Sequence, residues 1–400
     1  MKYAILIGDG MADYPLDDLQ GRTPLAAAKT PNMDFLATHG DLGLVRTIPP
    51  GMEPGSDVAN LAIMGYDPTV HHTGRAPLEA ASMGVNLAPN EVAFRCNLVT
   101  LLHTPQGDIL MEDYSAGHID SNEARELIMT INQAMGNGSR RFYPGVSYRH
   151  LLVWQGGQED WQTYPPHDLS GQSVRDYLNG QGKEKPLLEL IKSSWAVLAQ
   201  HPVNQMRRER GKKPATSIWL WGQGRAPQMP TIPERFGLTG AVISAVDLMR
   251  GIGIYAGLKP ILVPGATGYL DTNYAGKVAA ALDALETMDF VYLHVEAPDE
   301  AGHSGDLKSK LQAIEDFDYR VVGPMLQGLQ SLGPHRLLLL PDHRTPLSLK
   351  THSPEPVPFV LFDSRRQMHR QARRFNEFAA EHTGLFVDRA DLLIRELFKP

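Results

Sequence analysis

A chain of 400 residues with 42% hydrophobic content exceeds what one core ordinarily absorbs, so two globular domains are expected. A formal net charge of -7 excludes a general attraction to nucleic acid or anionic membrane, while leaving room for a local basic pocket that holds a small anion. The single cysteine, Cys96, excludes an intrachain disulfide and a cysteine-rich metal site, and no run approaches about 18 apolar residues, so a soluble cytoplasmic protein is expected.

Residues 3–7 (YAILI) form a predicted buried strand that ends at Gly8, Asp9 and Gly10. The segment from Thr23 to His39 has a helical pattern after Pro24, with Pro31 marking a break. Residues 44–55 are a loop rich in Pro and Gly. Ser56 then opens a helical run, DVANLAIMG, that stops at Gly65. This puts Ser56 at or near a helix N-terminus, where unpaired backbone N–H groups favour a phosphate.

From about Gly74 the texture changes to α+β, with strand-like runs at 92–102, 109–114 and 147–154 and helices at 121–134 and near 186–199. The basic stretch QMRRERGKKP closes this region near Pro214 and reads as a solvated face. Residues 75–214 are therefore taken as a domain inserted into a discontinuous one, 1–74 with 215–400. Residues 217–222 and 240–246 read as a strand and a helix of the first domain. Next come a helix in DTNYAGKVAAALDALETMD, a strand at 291–295, a helix at 307–330, the strand RLLLLPDH and a last strand at 357–361. A helix around 370–380 and the segment 389–397 are expected to pack outside. The alternation predicts an α/β fold, a mostly parallel sheet with helices on both faces.

The chemistry gathers around VYLHVEAPDEAGHSGD, residues 291–306. A strand here delivers Asp299 and His303 at its C-terminal end, and helical i,i+4 spacing would put both on one face. Asp9 ends another strand, Asp342 and His343 a third, and His352 follows in a loop. Carboxylates mixed with imidazoles suit Mg²⁺, Mn²⁺ or Zn²⁺, and two such cations about 4 Å apart suit phosphoryl transfer. A single Asp–His pair is more often structural, as His39, His118 or His167 could be. Asp342 and His343 after four leucines resist that reading, because burying two titratable groups costs several kcal/mol without compensation. Ser56 is either a nucleophile or a plain helix N-cap. No G-x-S-x-G elbow surrounds it, no Walker loop is present, and GATGYLDTN does not fit a dinucleotide fingerprint.

DGMAD at 9–13, PGSDVANL at 54–61, PDEAGHSGD at 298–306 and DHRTP at 342–346 with His352 resemble the archaeal-type cofactor-independent phosphoglycerate mutases of the alkaline-phosphatase-like superfamily. GRAPLEAASMGV, FRCNLVT, GVSYRHLLVW, PPHD, HPVNQMR, LWGQG and PGATGYLDTNY extend the likeness over nearly the whole chain. The resemblance implies an alkaline-phosphatase-like metal domain and an inserted substrate-clamping domain. It implies two divalent metal ions (Mn, Zn or Mg) and no organic cofactor. Ser56 would be the transiently phosphorylated serine. Asp9, Ser56, Asp342 and His343 would surround one metal, and Asp299, His303 and His352 the other. Arg149, His150, Asn204 and Arg207, with Arg75 and Lys277, would grip a small phosphorylated carboxylate substrate. Interconversion of 3-phosphoglycerate and 2-phosphoglycerate is the implied activity. Its rivals are a homoserine kinase-like phosphotransferase, the label carried by similar bacterial sequences, a phosphatase or other phosphomutase on the same core, and an inactive binding protein. No nucleic acid or membrane partner is implied, and the resident metal and oligomeric state stay open.

Overall fold

Short apolar runs bounded by Gly, Pro or Asp dictate the strands, because β-branched and aromatic residues pack well on a pleated surface while the bounding residues end it. The computed structural model describes residues 1–366 and 373–399. In chain order the strands are β1 (Lys2–Gly8), β2 (Asp41–Val45), β3 (Glu91–His103), β4 (Ile109–Asp113), β5 (Arg140–Tyr143), β6 (Arg149–Gln155) and β7 (Ser217–Gly224). They continue as β8 (Gly240–Ile243), β9 (Lys259–Ile261), β10 (Phe290–Val295), β11 (His335–Leu340), β12 (Val357–Asp363) and β13 (Phe386–Val387). Two compact units result, Met1–His72 with Gln228–Pro400, and Thr73–Pro227.

The first unit holds an eight-stranded sheet in the order β13-β2-β12-β11-β1-β10-β8-β9. β1 lies between β10 and β11 and runs parallel to both, while on one side β12 runs antiparallel to β11 and β2 antiparallel to β12. Helices Tyr274–Thr287, Leu307–Phe317 and Gly323–Leu332 flank β10 in sequence, as parallel crossovers require. Leu6, Leu293, Leu337 and Leu339 pack with Ala281, Leu285, Phe317 and Leu329 of those helices, and Ile5, Ile7, Tyr292 and Leu338 are equally buried. Burial on both faces explains why these strands read as continuous apolar runs. Each fully buried Leu or Ile contributes about 1.5–3 kcal/mol, so a polar substitution inside β1, β10 or β11 would be severe. Because the three neighbours are parallel, the residues that follow them emerge side by side at one edge.

The second unit is an antiparallel sheet in which β3 carries β4 and β6, β6 carries β5, and β7 also pairs with β3. Helices Ser121–Met135 and Lys185–Ala199 bury Leu127, Ile128, Ile131, Leu187 and Ile191 with Phe94, Cys96 and Leu98 of β3.

This arrangement corrects two expectations. Residues 217–222 belong to the second unit, because β7 completes the hydrogen bonds of β3, so that unit extends to Pro227 rather than ending at 214. Residues 240–243 are a strand beside β10 and not part of a helix. The expected helix at 370–380 falls partly outside the described residues, and its described part is Glu377–Glu381. Among the described residues no helix is long and apolar enough to cross a membrane.

Candidate metal centre

Asp9 follows β1, helix Ala297–Ser304 follows β10, and Asp342 and His343 follow β11. In that short helix Asp299 and His303 share a face, with His303 Nε2 3.1 Å from Asp299 Oδ2. Ser56 is the first residue of helix Ser56–Ile63; Gly55 occupies the capping position, and the serine hydroxyl makes no cap bond. Instead Ser56 Oγ lies 3.0 Å from His343 Nε2. The N-cap alternative for Ser56 is therefore not the one adopted.

Three ligand groups form among the described residues, Asp9 with Asp342 and His343, Asp299 with His343 and His352, and Asp9 with His294 and Glu296; within each the ligand atoms lie within 4.8 Å of one another. His343 joins the first two, its Nε2 standing 3.5 Å from Asp9 Oδ1 and 3.5 Å from Asp342 Oδ2. His303 extends the second group, its Nε2 2.9 Å from His352 Nε2. Two imidazole nitrogens at that distance repel unless a proton or a cation lies between their lone pairs. All the sequence-derived metal positions thus meet at one sheet edge.

Asp9 and Asp342 are fully buried and Asp299 nearly so. Burial, with Asp342, Glu296 and Asp299 nearby, holds the Asp9 carboxyl well above the usual range. Burial also raises Glu296, to about 8, with Asp299 adding to it. Burial would raise Asp299 too, but hydrogen bonds from His303 and His352 outweigh it and leave Asp299 well below the usual range. The same pairing with Asp299 lifts His303 to about 9. The imidazoles compensate Asp299, while Asp9 and Glu296 stay crowded out of water at a cost that a cation would offset. Asp9 Oδ1 is buried without a hydrogen bond, and the donor set of carboxylate, hydroxyl and imidazole is one that divalent cations accept. The residues fit two such ions, and the cluster is a divalent-metal centre in its chemistry.

Several supporting groups were invisible as such in the sequence. Asn60, one helical turn beyond Ser56, donates to Asp342 Oδ2 at 2.7 Å and to the Ser56 carbonyl at 2.8 Å, and its own Oδ1 accepts from the Tyr292 hydroxyl. Thr345 Oγ1 donates to Asp299 Oδ1. His294 Nε2 contacts Asp9 Oδ2 at 2.8 Å, with Glu296 Oε2 3.7 Å away. The buried Lys310 ammonium binds Asp13 Oδ2 at 2.7 Å and the Thr345 carbonyl at 2.6 Å, tying the loop after β1 to the loop after β11. Apart from Lys310, each sits inside a motif already singled out, yet nothing in one dimension names its partner.

Comparison with known proteins decides the family. A family model described as 2,3-bisphosphoglycerate-independent phosphoglycerate mutase matches residues 37–204. A 2,3-bisphosphoglycerate-independent phosphoglycerate mutase of Methanosarcina barkeri is 54% identical over 402 residues, covering 100% of each chain. The chain belongs to the 2,3-bisphosphoglycerate-independent phosphoglycerate mutase family. A probable mutase of the same description from Geobacter sulfurreducens is 58% identical over 389 residues, 97% of each chain. Among solved structures, a Pyrococcus horikoshii protein superposes with a TM-score of 0.81 at 29% identity, over 99% of this chain and 96% of that one. The cofactor-independent phosphoglycerate mutase of Thermoplasma acidophilum gives 0.65 at 26% identity, with 99% of both chains covered. The resemblance drawn from the motifs is borne out, and so is the α/β fold it implied.

Several of the residues expected to hold substrate in a phosphoglycerate mutase of this family lie buried in the structure. Asn204 is buried and bonded to the carbonyls of Leu198 and Ala215 and the N–H of Ala215. Arg207 is buried too, bonding Lys213 O, Ala116 O and the Glu123 carboxylate. Both close a turn of the second unit, Asn204 with both amide hydrogens bonded to carbonyls and Arg207 with each of its three nitrogens bonded to protein. His150 is buried, its Nδ1 accepting from Gly145 N–H at 3.0 Å. Lys277 is buried in the first unit, donating to the His294 carbonyl at 3.2 Å, and burial lowers it to about 8. Of the six, Arg149 is exposed and Arg75 half-buried. They are joined by Arg95, which was missed: its guanidinium stacks 4.1 Å from the Trp221 ring and pairs with Glu79 at 3.1 Å. Burial lowers Arg95; Glu79 opposes this, while Arg75 and Arg149 add to it. His167 stands 5.5 Å from the same Trp221 ring, ring to ring.

Proposed function

We propose that this chain interconverts 3-phosphoglycerate and 2-phosphoglycerate through a phosphorylated Ser56. The observation that carries the reading is the placement of the Ser56 hydroxyl against His343 in the midst of Asp9, Asp299 and Asp342. Divalent cations held by Asp9, Ser56, Asp342 and His343 and by Asp299, His303 and His352 would supply a lowered hydroxyl pKa and charge neutralisation for the phosphoryl oxygens. The imidazole share of the donor set favours Mn²⁺ or Zn²⁺ over Mg²⁺.

Ser56 Oγ attacks phosphorus while the bond from phosphorus to the substrate's C3 oxygen breaks. The proton that leaves Ser56 is matched by the one the departing glycerate hydroxyl takes up. The C2 oxygen of glycerate then attacks phosphorus and gives up its proton while the phosphoserine bond breaks, and Ser56 Oγ takes up a proton in turn. Asn60 and Thr345 hold Asp342 and Asp299 in place throughout. Arg75, Arg95 and Arg149 with His167 form a basic group within the second unit that suits a small anionic acid, since guanidinium forks match carboxylate and phosphate bidentately. Retention of glycerate separates a mutase from a phosphatase.

The test is a side-by-side assay of purified, Mn²⁺-reconstituted protein for isomerisation, phosphate release and ATP-dependent homoserine phosphorylation, with mass spectrometry for phospho-Ser56. Isomerisation with phosphate on Ser56 is expected. Steady phosphate release without isomer, or ATP consumption with homoserine, would overturn the assignment.

A further inference from the structure

We infer that His294 is a positioning residue that holds Asp9 Oδ2 and so presents Oδ1 to the metal centre, and that Ser244 fixes the tautomer in which it does so. The inference rests on the reading of Asp9 as a metal ligand and adds two residues that the motifs did not assign. β10 runs parallel to β1 with Ile7 opposite His294 and Gly8 opposite Val295, which brings the imidazole beside the point where Asp9 leaves the sheet. His294 and Asp9 are both fully buried, and His294 Nε2 lies 2.8 Å from Asp9 Oδ2. A carboxylate oxygen accepts, so Nε2 carries the proton. Nδ1 is then a lone pair, and Ser244 Oγ faces it at 3.2 Å. That serine, just beyond β8, accepts the Val246 N–H at 3.0 Å, which turns its own hydroxyl proton toward the imidazole. The chain of donors therefore runs in one direction, from Val246 through Ser244 and His294 to Asp9.

The consequence falls on the other carboxylate oxygen. With Oδ2 held, Oδ1 alone turns toward His343 Nε2, at 3.5 Å, and it is the oxygen without a hydrogen-bond partner. Glu296 Oε2, 3.7 Å from His294 Nε2, is too distant to compete for the same proton. The Lys277 ammonium bonds the His294 carbonyl at 3.2 Å and steadies the backbone that carries the ring. Histidines and carboxylates behind a metal ligand act in this way by fixing its orientation, and their loss typically costs 10–100-fold in metal affinity.

The test uses the full chain stripped of metal by chelation and titrated with Mn²⁺ by calorimetry, in parent, His294→Leu, His294→Gln and Ser244→Ala forms, with kcat and KM measured at fixed free Mn²⁺. The expected result is about 10–100-fold weaker Mn²⁺ binding in His294→Leu, with KM for phosphoglycerate within about twofold. Gln, whose amide N–H reaches the place of Nε2, should restore most of the affinity, and Ser244→Ala should fall between parent and Leu. Parent-like Mn²⁺ affinity in a folded His294→Leu, or a Gln variant as weak as Leu, overturns the inference. Should the Leu variant fail to fold, Ser244→Ala carries the test, and parent affinity there overturns it. A parent chain that binds no Mn²⁺ would remove the metal-centre reading and the inference with it, whereas parent binding with unchanged variants removes the inference alone.

Discussion

Ser56 Oγ and His343 Nε2 are 3.0 Å apart although 287 residues separate them in the chain. The serine arrives on a helix outside the sheet and the histidine at the end of β11, so their contact depends on the packing of that helix across the strand ends. The first prediction follows from it. Ser56→Ala should lower kcat by at least about three orders of magnitude and abolish the phosphoprotein. Because the hydroxyl caps nothing, circular dichroism and thermal midpoint should stay near the parent's. Isomerisation at the parent rate would remove Ser56 from the mechanism.

Chelation should destabilise the first unit as well as silence it. Asp9, Asp299, Asp342 and Glu296 share one buried place and repel one another through Asp9 and Glu296, both held above the usual carboxylate range, chiefly by burial. Binding to the folded state alone stabilises by about 2.7 kcal/mol at a hundredfold excess over Kd. Scanning calorimetry of stripped and Mn²⁺-loaded protein should give a higher midpoint in the loaded form and restored turnover; equal midpoints would contradict the buried-centre account.

Arg207 and Arg149 should separate stability from binding. Arg207→Ala removes a buried guanidinium and leaves the half-buried Glu123 without its partner, which should cost about 3–5 kcal/mol. Urea unfolding of that variant should fall early, with KM unchanged in the fraction that stays folded. Arg149→Ala, at an exposed position, should leave unfolding alone and raise KM about tenfold or more, the worth of a charged hydrogen bond of roughly 1.5–3 kcal/mol. The reverse pattern would return Arg207 to the substrate.

His150 should make the protein sensitive to acid. Burial, with Arg125 and Arg149 adding to it, pushes the imidazole down to about 3 in the fold, against 6.5 for an exposed histidine. A depressed folded value means that the stability it contributes is complete above the unfolded value and declines as pH falls from 6.5 toward 3. The slope approaches about 1.4 kcal/mol per pH unit. His150→Asn keeps an acceptor for Gly145 N–H but cannot take up a proton, so denaturant titrations between pH 6.5 and 4.5 should show a shallower fall in the variant (about one proton fewer). Identical slopes would place the acid sensitivity elsewhere.

The local questions were answered by residue type and order. YAILI, RLLLLPDH and the run before Asp299 could only be buried strands, and each ends on residues too polar to follow it into the core. Hence the carboxylates and imidazoles that gather at the strand ends stood together in the motifs. The edges of the second unit were not legible, because SIWLWG suits either sheet and only the hydrogen bonds of β3 place it. Arg207 and Asn204 read as ligand holders because polarity in a sequence does not say whether a donor faces solvent or a carbonyl. The structure turned both inward and exposed Arg149. His294, Asn60 and Thr345 became supports of Asp9, Asp342 and Asp299 only through strand register and helix packing. Which side chains are chemically able to bind a cation is a property of the chain; which oxygen is left facing that cation is decided by contacts between residues far apart along it.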